Sequence, residues 1–296
     1  MSLSDLCVAP ARAEDAADAR AFCDALFASV PAAQAWWRSR LAQGPERLLI
    51  VRGAGDRVVA LATIEGRPTL RLDGRMTMTA RGPEAPAELD AALLPAFDAM
   101  ARRLGFGLLA AGVFGPTPEA ELPCPAGFAP WQRLLVVSLP LDQPATAPPE
   151  GVRLAPHAGG DPAAEAEAAA IAWRMLRRER IWPPLDGPGL AALMAAPESL
   201  WLLARDTATG RVVGVAETFP ETGLFSMLAV SRSHWGTGLA DHMTREGLRA
   251  MAARGAASAF SLVRPENAAS LKLQARSGAS VGSAALTCVR EIPPGP

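Results

Sequence analysis

The sequence predicts an α/β protein built of two tandem domains, each a mixed, mostly antiparallel sheet flanked by helices. Three observations carry this expectation. Apolar runs of strand length alternate with amphipathic runs of helical period along the whole chain. Pro140 to Gly151, PLDQPATAPPEG, is poor in large apolar residues and rich in proline, which marks a stiff, solvated linker. The order of elements then begins again at an offset of roughly 150 residues. Arg57-Val58-Val59-Ala60-Leu61-Ala62 matches Arg211-Val212-Val213-Gly214-Val215-Ala216, and Ala99-Met100-Ala101-Arg102 matches Ala250-Met251-Ala252-Ala253. Helix-ending Gly105 and Gly255, and Gly127 and Gly278 before the final strands, keep the same register. The expected boundaries are therefore a domain over 1–141, a linker over 142–150 and a domain over 151–296.

In the first half, 6–12 reads as a strand and 13–41 as helix, broken near Val30-Pro31. Residues 47–52 and 57–64 form a hairpin across Gly53-Ala54-Gly55-Asp56. A strand over 70–79 precedes a helix over 88–104 whose buried face carries Leu93, Leu94, Phe97, Met100, Ala101 and Leu104. Pro95 lies inside that run, where it can kink the helix or mark a later start. Strands over 106–114 and 132–139 close the half. The second half opens with a strand at 152–156, helices at 162–178 and 188–196, and a hairpin of 200–205 with 211–217.

Next comes the most informative stretch. Leu224 to Val230 is almost wholly apolar, as in a strand buried on both faces. Ser231-Arg232-Ser233-His234-Trp235-Gly236-Thr237-Gly238-Leu239-Ala240 follows. Its two glycines and its alanine leave no bulky Cβ in the way, so a diphosphate can approach successive backbone amides. The ensuing helix sets Ala240, Met243, Gly247, Leu248 and Met251 on one face and Asp241, Arg245, Glu246 and Arg249 on the other. Its positive end points at the turn, and Arg254-Gly255 stops it. A strand over 257–263 leads to Asn267, a good N-cap, and to a short helix ended by Gly278.

LAV-x(4)-WGTGLA, then a helix, a strand and N-x-x-S-x-x-x-Q-x-x-x-GA, resembles the acyl-CoA motif of the GNAT acyltransferase family over about 80 residues. The resemblance implies an acyl-CoA co-substrate, most simply acetyl-CoA. By the same resemblance Leu228, Ala229 and Val230 would pair with the pantetheine arm, and the amides of Trp235, Gly236, Thr237, Gly238, Leu239 and Ala240 would hold the pyrophosphate. Asn267, Ser270 and Gln274 would lie along the arm. The chain departs from the family pattern at three places: Trp235 stands where Gln or Arg is usual, Ala279 replaces an aromatic, and Gln274 takes the place of the tyrosine that often protonates the thiolate. The chain contains no tyrosine.

The two halves differ at this turn. In its place the first half has Ala80-Arg81-Gly82-Pro83-Glu84-Ala85-Pro86, and the prolines have no amide hydrogen to donate. The first half is expected to be a degenerate copy, serving as scaffold or lid.

Composition narrows the function classes. With 29 Lys plus Arg against 30 Asp plus Glu, a net charge of -1 points away from nucleic acid and anionic membranes. Apolar runs are too short to span a bilayer, and the first residues lack the blocks of a signal peptide, so a cytoplasmic protein is expected. Cys7, Cys23, Cys124 and Cys288 show no close pairing and read as free thiols; with His157, His234 and His242 equally scattered, no metal site is expected.

Acyl transfer to an amine requires position, a base and a proton for the thiolate. Glu217 and Glu221 are candidate bases, with Glu217 preferred because it ends the apolar strand VVGVAE; each also reads as a solvated hairpin charge. Ser270 and Gln274 are the candidate donors to the thiolate, with water as the other source. His234, beside the turn, reads as packed or solvated. Lys272, Arg245 and Arg276 can reach for an outer phosphate. The acceptor, a small-molecule amine, is expected near 173–184, where Trp173 and Trp182 wall a pocket or belong to the core. An N-acyltransferase acting by direct attack in a ternary complex is one reading; a catalytically silent acyl-CoA sensor or interaction module is the other. A dinucleotide-binding oxidoreductase fits worse, because GxGxA lacks the third glycine and the acidic ribose ligand. The chain is expected to act as a monomer or homodimer.

Overall fold

The computed structural model describes residues 5–29, 31–42, 44–66, 75–86, 88–157, 159–176, 191, 194–195 and 199–292. The expected strand start at 70–74, the acceptor segment 177–184 and nearly all of the expected helix at 188–196 lie outside them. The chain divides into two compact units, one of 1–113, 123–132 and 286–296, the other of 114–122 and 133–285.

The first unit contains β1 (Cys7–Pro10), α1 (Ala16–Leu26), α2 (Pro31–Ala42), β2 (Leu48–Arg52), β3 (Val58–Gly66), β4 (Arg75–Arg81), α3 (Leu89–Arg103) and β5 (Leu108–Gly115), the last running past the unit's edge at Val113. Its strands lie in the order β1-β2-β3-β4-β5. The first three pairings are antiparallel, and β4 pairs β5 in parallel, Met76 with Ala110 and Thr77 with Ala111. Alternate side chains of β2 and β3 feed two cores. Leu49, Val51 and Val59 pack with Leu93, Phe97 and Met100 of α3, while Leu48, Ile50 and Leu61 pack with Ala19 and Cys23 of α1. Pro95 sits inside α3 without interrupting it.

The second unit contains β6 (Ala129–Leu139, from Arg133 on), β7 (Val152–His157), α4 (Pro162–Leu176), β8 (Leu200–Asp206), β9 (Val212–Phe219), β10 (Leu224–Val230), α5 (Leu239–Ala253), β11 (Ala259–Val263), α6 (Ala268–Arg276) and the first part of β12 (Ser280–Glu291, to Ala285). Its strand order runs β6-β11-β10-β9-β8-β7, antiparallel except for β10 with β11. Of the face of α5 read from the sequence, Met243, Gly247, Leu248 and Met251 are buried, with Leu239 beside them, while Ala240 is half-buried; Leu239, Met243, Leu248 and Met251 pack against Leu202, Ala216 and Phe225.

Repetition reaches down to single bonds. Gly105 and Gly255 both end their helices at positive φ, 75° and 84°. Phe106 N–H then donates to Ala101 O at 2.8 Å and Ala256 N–H to Met251 O at 3.1 Å. A register shift follows Val51 in the β2–β3 pair and Ala204 in the β8–β9 pair.

Two features differ from expectation. The strand read as the close of the first half pairs instead with β11, Leu135 with Val263 through Leu139 with Ala259. Conversely, the chain's last residues serve the first unit: Arg290 holds Asp98 of α3, and Ile292 N–H donates to Gly107 O at 2.9 Å. Each half has given part of its final strand to the other unit. Periodicity announces a strand but not its partner. The second correction is that Cys124 and Cys288 are not free thiols but a disulfide across 164 residues, a proximity that sequence spacing cannot reveal. Cys7 and Cys23 are free; burial first, then the Asp24 charge, pushes the Cys23 thiol up to about 12.

Nor is Pro140 to Gly151 wholly solvated. Gln143 is buried, its amide donating to Pro140 O and Ser277 O while its carbonyl accepts from Arg245, and Thr146 Oγ1 lies 2.8 Å from His242 Nδ1. Among the described residues no helix is long and apolar enough to cross a membrane, and no group of His, Cys, Asp and Glu is arranged to hold a metal ion.

Candidate active site

β10 and β11 run parallel, so both end at the same edge of the sheet, where ligands of open α/β sheets gather. They share one Cα pair, Leu224 with Phe260. Beyond it, among the described residues, β10 pairs only with β9, Leu228 with Ala216, Ala229 with Val215 and Val230 with Gly214. The β11 side of β10 therefore has backbone groups without a strand beside them, and an extended chain of suitable polarity can take their bonds. A register shift between Phe225 and Met227 bends β10 just past the shared pair.

The turn begins where Ser231 N–H donates to Val213 O at 2.8 Å. A single 3-10 turn, Arg232–His234, follows, and Thr237 Oγ1 donates to His234 O. Gly238 caps α5 with φ 86° and Gly236 stands at φ 79°, conformations that side-chain-bearing residues rarely adopt. A Cβ at either glycine would meet nothing within 4 Å, so the space outside the backbone is open. Of the amides expected to hold a pyrophosphate, that of Trp235 is taken, donating to Arg232 O at 3.2 Å; those of Gly236, Thr237, Gly238 and Ala240 have no partner among the described residues, while Leu239 N–H has only a long 3.4 Å contact to Thr237 Oγ1. Several donors of one sign therefore face solvent at the positive end of a helix, which suits a polyanion.

The sequence did not announce what surrounds this turn. His234 is half-buried, its Nδ1 within 3.2 Å of both Ser231 Oγ and Ser233 Oγ, and its Nε2 lies 4.0 Å from Asp206. Hydrogen bonds from the Thr209 amide and hydroxyl hold the Asp206 carboxyl below its ordinary range. Serines on either side of a histidine in a turn are the signal that points to such a network. Arg245 and Arg276 already have partners: Arg276 pairs with Asp241 at 2.7 Å, and Arg245 bonds Gln143 and Arg276 O.

Asn267, exposed, caps α6 by accepting from Ser270 N–H at 3.2 Å, and Ser270 is half-buried in the first turn. Gln274 is buried and accepts from Ser261 Oγ of β11 at 2.9 Å, which turns its side chain toward the sheet. The turn, the open edge of β10 and the Asn267 cap thus share one edge of the second unit.

Glu217 is not a solvated hairpin charge; it is buried at 3% exposure. Gly214 and Thr218 of the same strand face Met243 and Gly247 of α5, so Glu217 projects from the opposite face, on which α4 packs. In register it lies between Trp201 of β8 and Met227 of β10. Glu221 is exposed. Trp173 is half-buried on α4, while Trp182 lies outside the described residues.

Residues 168–279 match the Acetyltransferase (GNAT) family. No curated protein matches the chain. Among solved structures it is similar to a GCN5-related N-acetyltransferase from Sphaerobacter thermophilus, at 21% identity and TM-score 0.66 over 99% of this chain and 97% of that one. It is also similar to a tandem GNAT protein from the clavulanic acid biosynthesis pathway, at 18% identity and TM-score 0.67 over 98% of this chain and 100% of that one. A third, a putative acetyltransferase from Pyrococcus horikoshii, shares 11% identity at TM-score 0.56 over 98% and 91% of the two chains.

Proposed function

Because residues 168–279 carry a GNAT acetyltransferase domain and the whole chain has the tandem GNAT fold, we propose that this protein transfers an acyl group, most simply acetyl, from acyl-CoA to a small-molecule amine. The observation that carries the proposal is the set of amides at Gly236, Thr237, Gly238 and Ala240 without a partner among the described residues, placed where β10 runs on with an open edge. In this reading the diphosphate takes the amides of the turn, and the pantetheine arm runs beside Leu228, Ala229 and Val230. Asn267 and Ser270 flank the thioester end. The bent, open-edged β10 then sets the acyl carbonyl beside the face that α4 covers.

The chemistry is direct attack in a ternary complex. The amine nitrogen bonds to the thioester carbonyl carbon, the C–S bond breaks, and the proton lost by nitrogen passes to Glu217 directly or through water. Ser270 donates a hydrogen bond to the leaving thiolate, which takes its proton from water, since the chain has no tyrosine. Proximity supplies most of the acceleration, with the base adding about 10²–10⁴-fold. The first half, over 1–141, acts as scaffold or lid in this proposal. The working form in this proposal is a monomer or homodimer.

Acyl-CoA binding without turnover is the second reading, favoured by the burial of Gln274 against Ser261. Incubation with acetyl-CoA and a panel of small amines, followed by thiol release, separates the two. The transferase reading expects steady release with at least one amine, reduced about 100-fold in kcat by Glu217→Gln while acetyl-CoA binding persists. Tight binding with no release from any amine identifies a sensor.

A further inference from the structure

Trp235 occupies an unusual position for so large an apolar side chain. It is 66% exposed, yet its ring is held in place. Indole Nε1–H donates to Val230 O at 3.0 Å, and the Arg232 guanidinium lies over the ring, 5.7 Å from its centroid. Arg232 is itself exposed and has no carboxylate partner among the described residues. An aromatic plane fixed at the end of β10, immediately before amides open to a diphosphate, carries a cation at its face and is otherwise bare. Exposure of this kind has a hydration cost that a stacked ligand ring removes, and the fixed rotamer means that little side-chain freedom is lost on stacking.

We infer that Trp235 and Arg232 form a platform for the nucleotide end of the acyl donor, with the purine stacking on the indole and Arg232 facing a nucleotide phosphate. The inference rests on the acyl-CoA reading of the turn and adds a specificity-determining pair to it. A purine offers a π-face that the pantetheine arm lacks, so the platform distinguishes the whole cofactor from its nucleotide-free fragment.

The test is calorimetric titration of the full chain with CoA and, separately, with 4′-phosphopantetheine, in the wild type and in Trp235→Ala, Trp235→Phe and Arg232→Gln. The expected result is a loss of about tenfold or more in CoA affinity for Trp235→Ala, largely restored by Trp235→Phe. Phosphopantetheine affinity should stay within about twofold of wild type in every variant, because the amides of the turn are unchanged. Arg232→Gln should weaken CoA but not dephospho-CoA. CoA affinity unchanged in Trp235→Ala, with the wild type binding normally, overturns the platform alone. An equal fall for the fragment also overturns it, by showing that the ring merely props the turn. Failure of the wild type to bind CoA overturns this inference together with the transferase reading.

Discussion

Two turns occupy matching places in the two halves and begin with the same bond. Gly82 N–H donates to Val59 O at 2.9 Å after β4, and Ser231 N–H donates to Val213 O at 2.8 Å after β10. Beyond that bond they diverge. In the first turn Ala85 N–H returns to Gly82 O, Leu89 N–H returns to Pro86 O, and Pro83 and Pro86 have no N–H to offer. Its carboxylates already have cations, Glu84 with Arg57 and Asp90 with Arg81. Phe22 and Val59 O close the space beside Gly82 at 3.1 Å. The second turn leaves its amides open and its glycines bare. The bonds that build the fold and the bonds that serve a ligand are therefore separable: the first half has kept one set and lost the other.

The sharpest break of this comparison is Gly238→Glu. It forces a side-chain-bearing residue into φ 86° and sets a carboxylate where the diphosphate should lie. No measurable acyl-CoA binding is expected by calorimetry, while Glu84→Ala in the first turn leaves affinity within about twofold of wild type. Next in size is the disulfide, which ties the end of β12 within the first unit. Cys124→Ser should lower stability by about 2–4 kcal/mol in a denaturant titration, with acyl-CoA affinity unchanged because the turn lies in the other unit.

A smaller effect compares Gly214 with its counterpart Ala60, which is buried and already has a Cβ. At Gly214 a Cβ would lie 2.6 Å from Met243 Sδ and 3.3 Å from Ala204 Cβ. Gly214→Ala should therefore cost about 1–3 kcal/mol through overpacking beneath α5, read as a lowered thermal midpoint. The smallest effect is pH-dependent. Burial holds the His242 imidazole below its ordinary value of 6.5, so the unfolded chain takes up its proton at a higher pH than the folded one does. Its contribution is intact above pH 6.5 and is lost as pH falls below it toward the folded value. His242→Gln should flatten that part of the stability profile.

How much of this was legible follows from the range over which each signal acts. The strand Leu224–Val230, the turn, α5 with its buried face and the Asn267 cap were all readable, because periodicity, capping and glycine stops act within a few residues. The break near Val30-Pro31 was equally local. The partner of β6, the Cys124–Cys288 bond and the seating of Gln143 were not readable, since each joins residues far apart in the chain. Glu217 falls between these cases. Its place at the end of an apolar strand was visible, but its burial beneath α4 depends on tertiary packing. The Arg232–Trp235 pair was missed because nothing in the local sequence fixes the direction of an exposed tryptophan.

The most direct test of the account is the stoichiometry of acetyl-CoA binding to the full chain by calorimetry. One equivalent per chain, abolished by Gly238→Glu, is the predicted result. Two equivalents, or one that survives Gly238→Glu, would contradict the claim that only the second turn holds the cofactor.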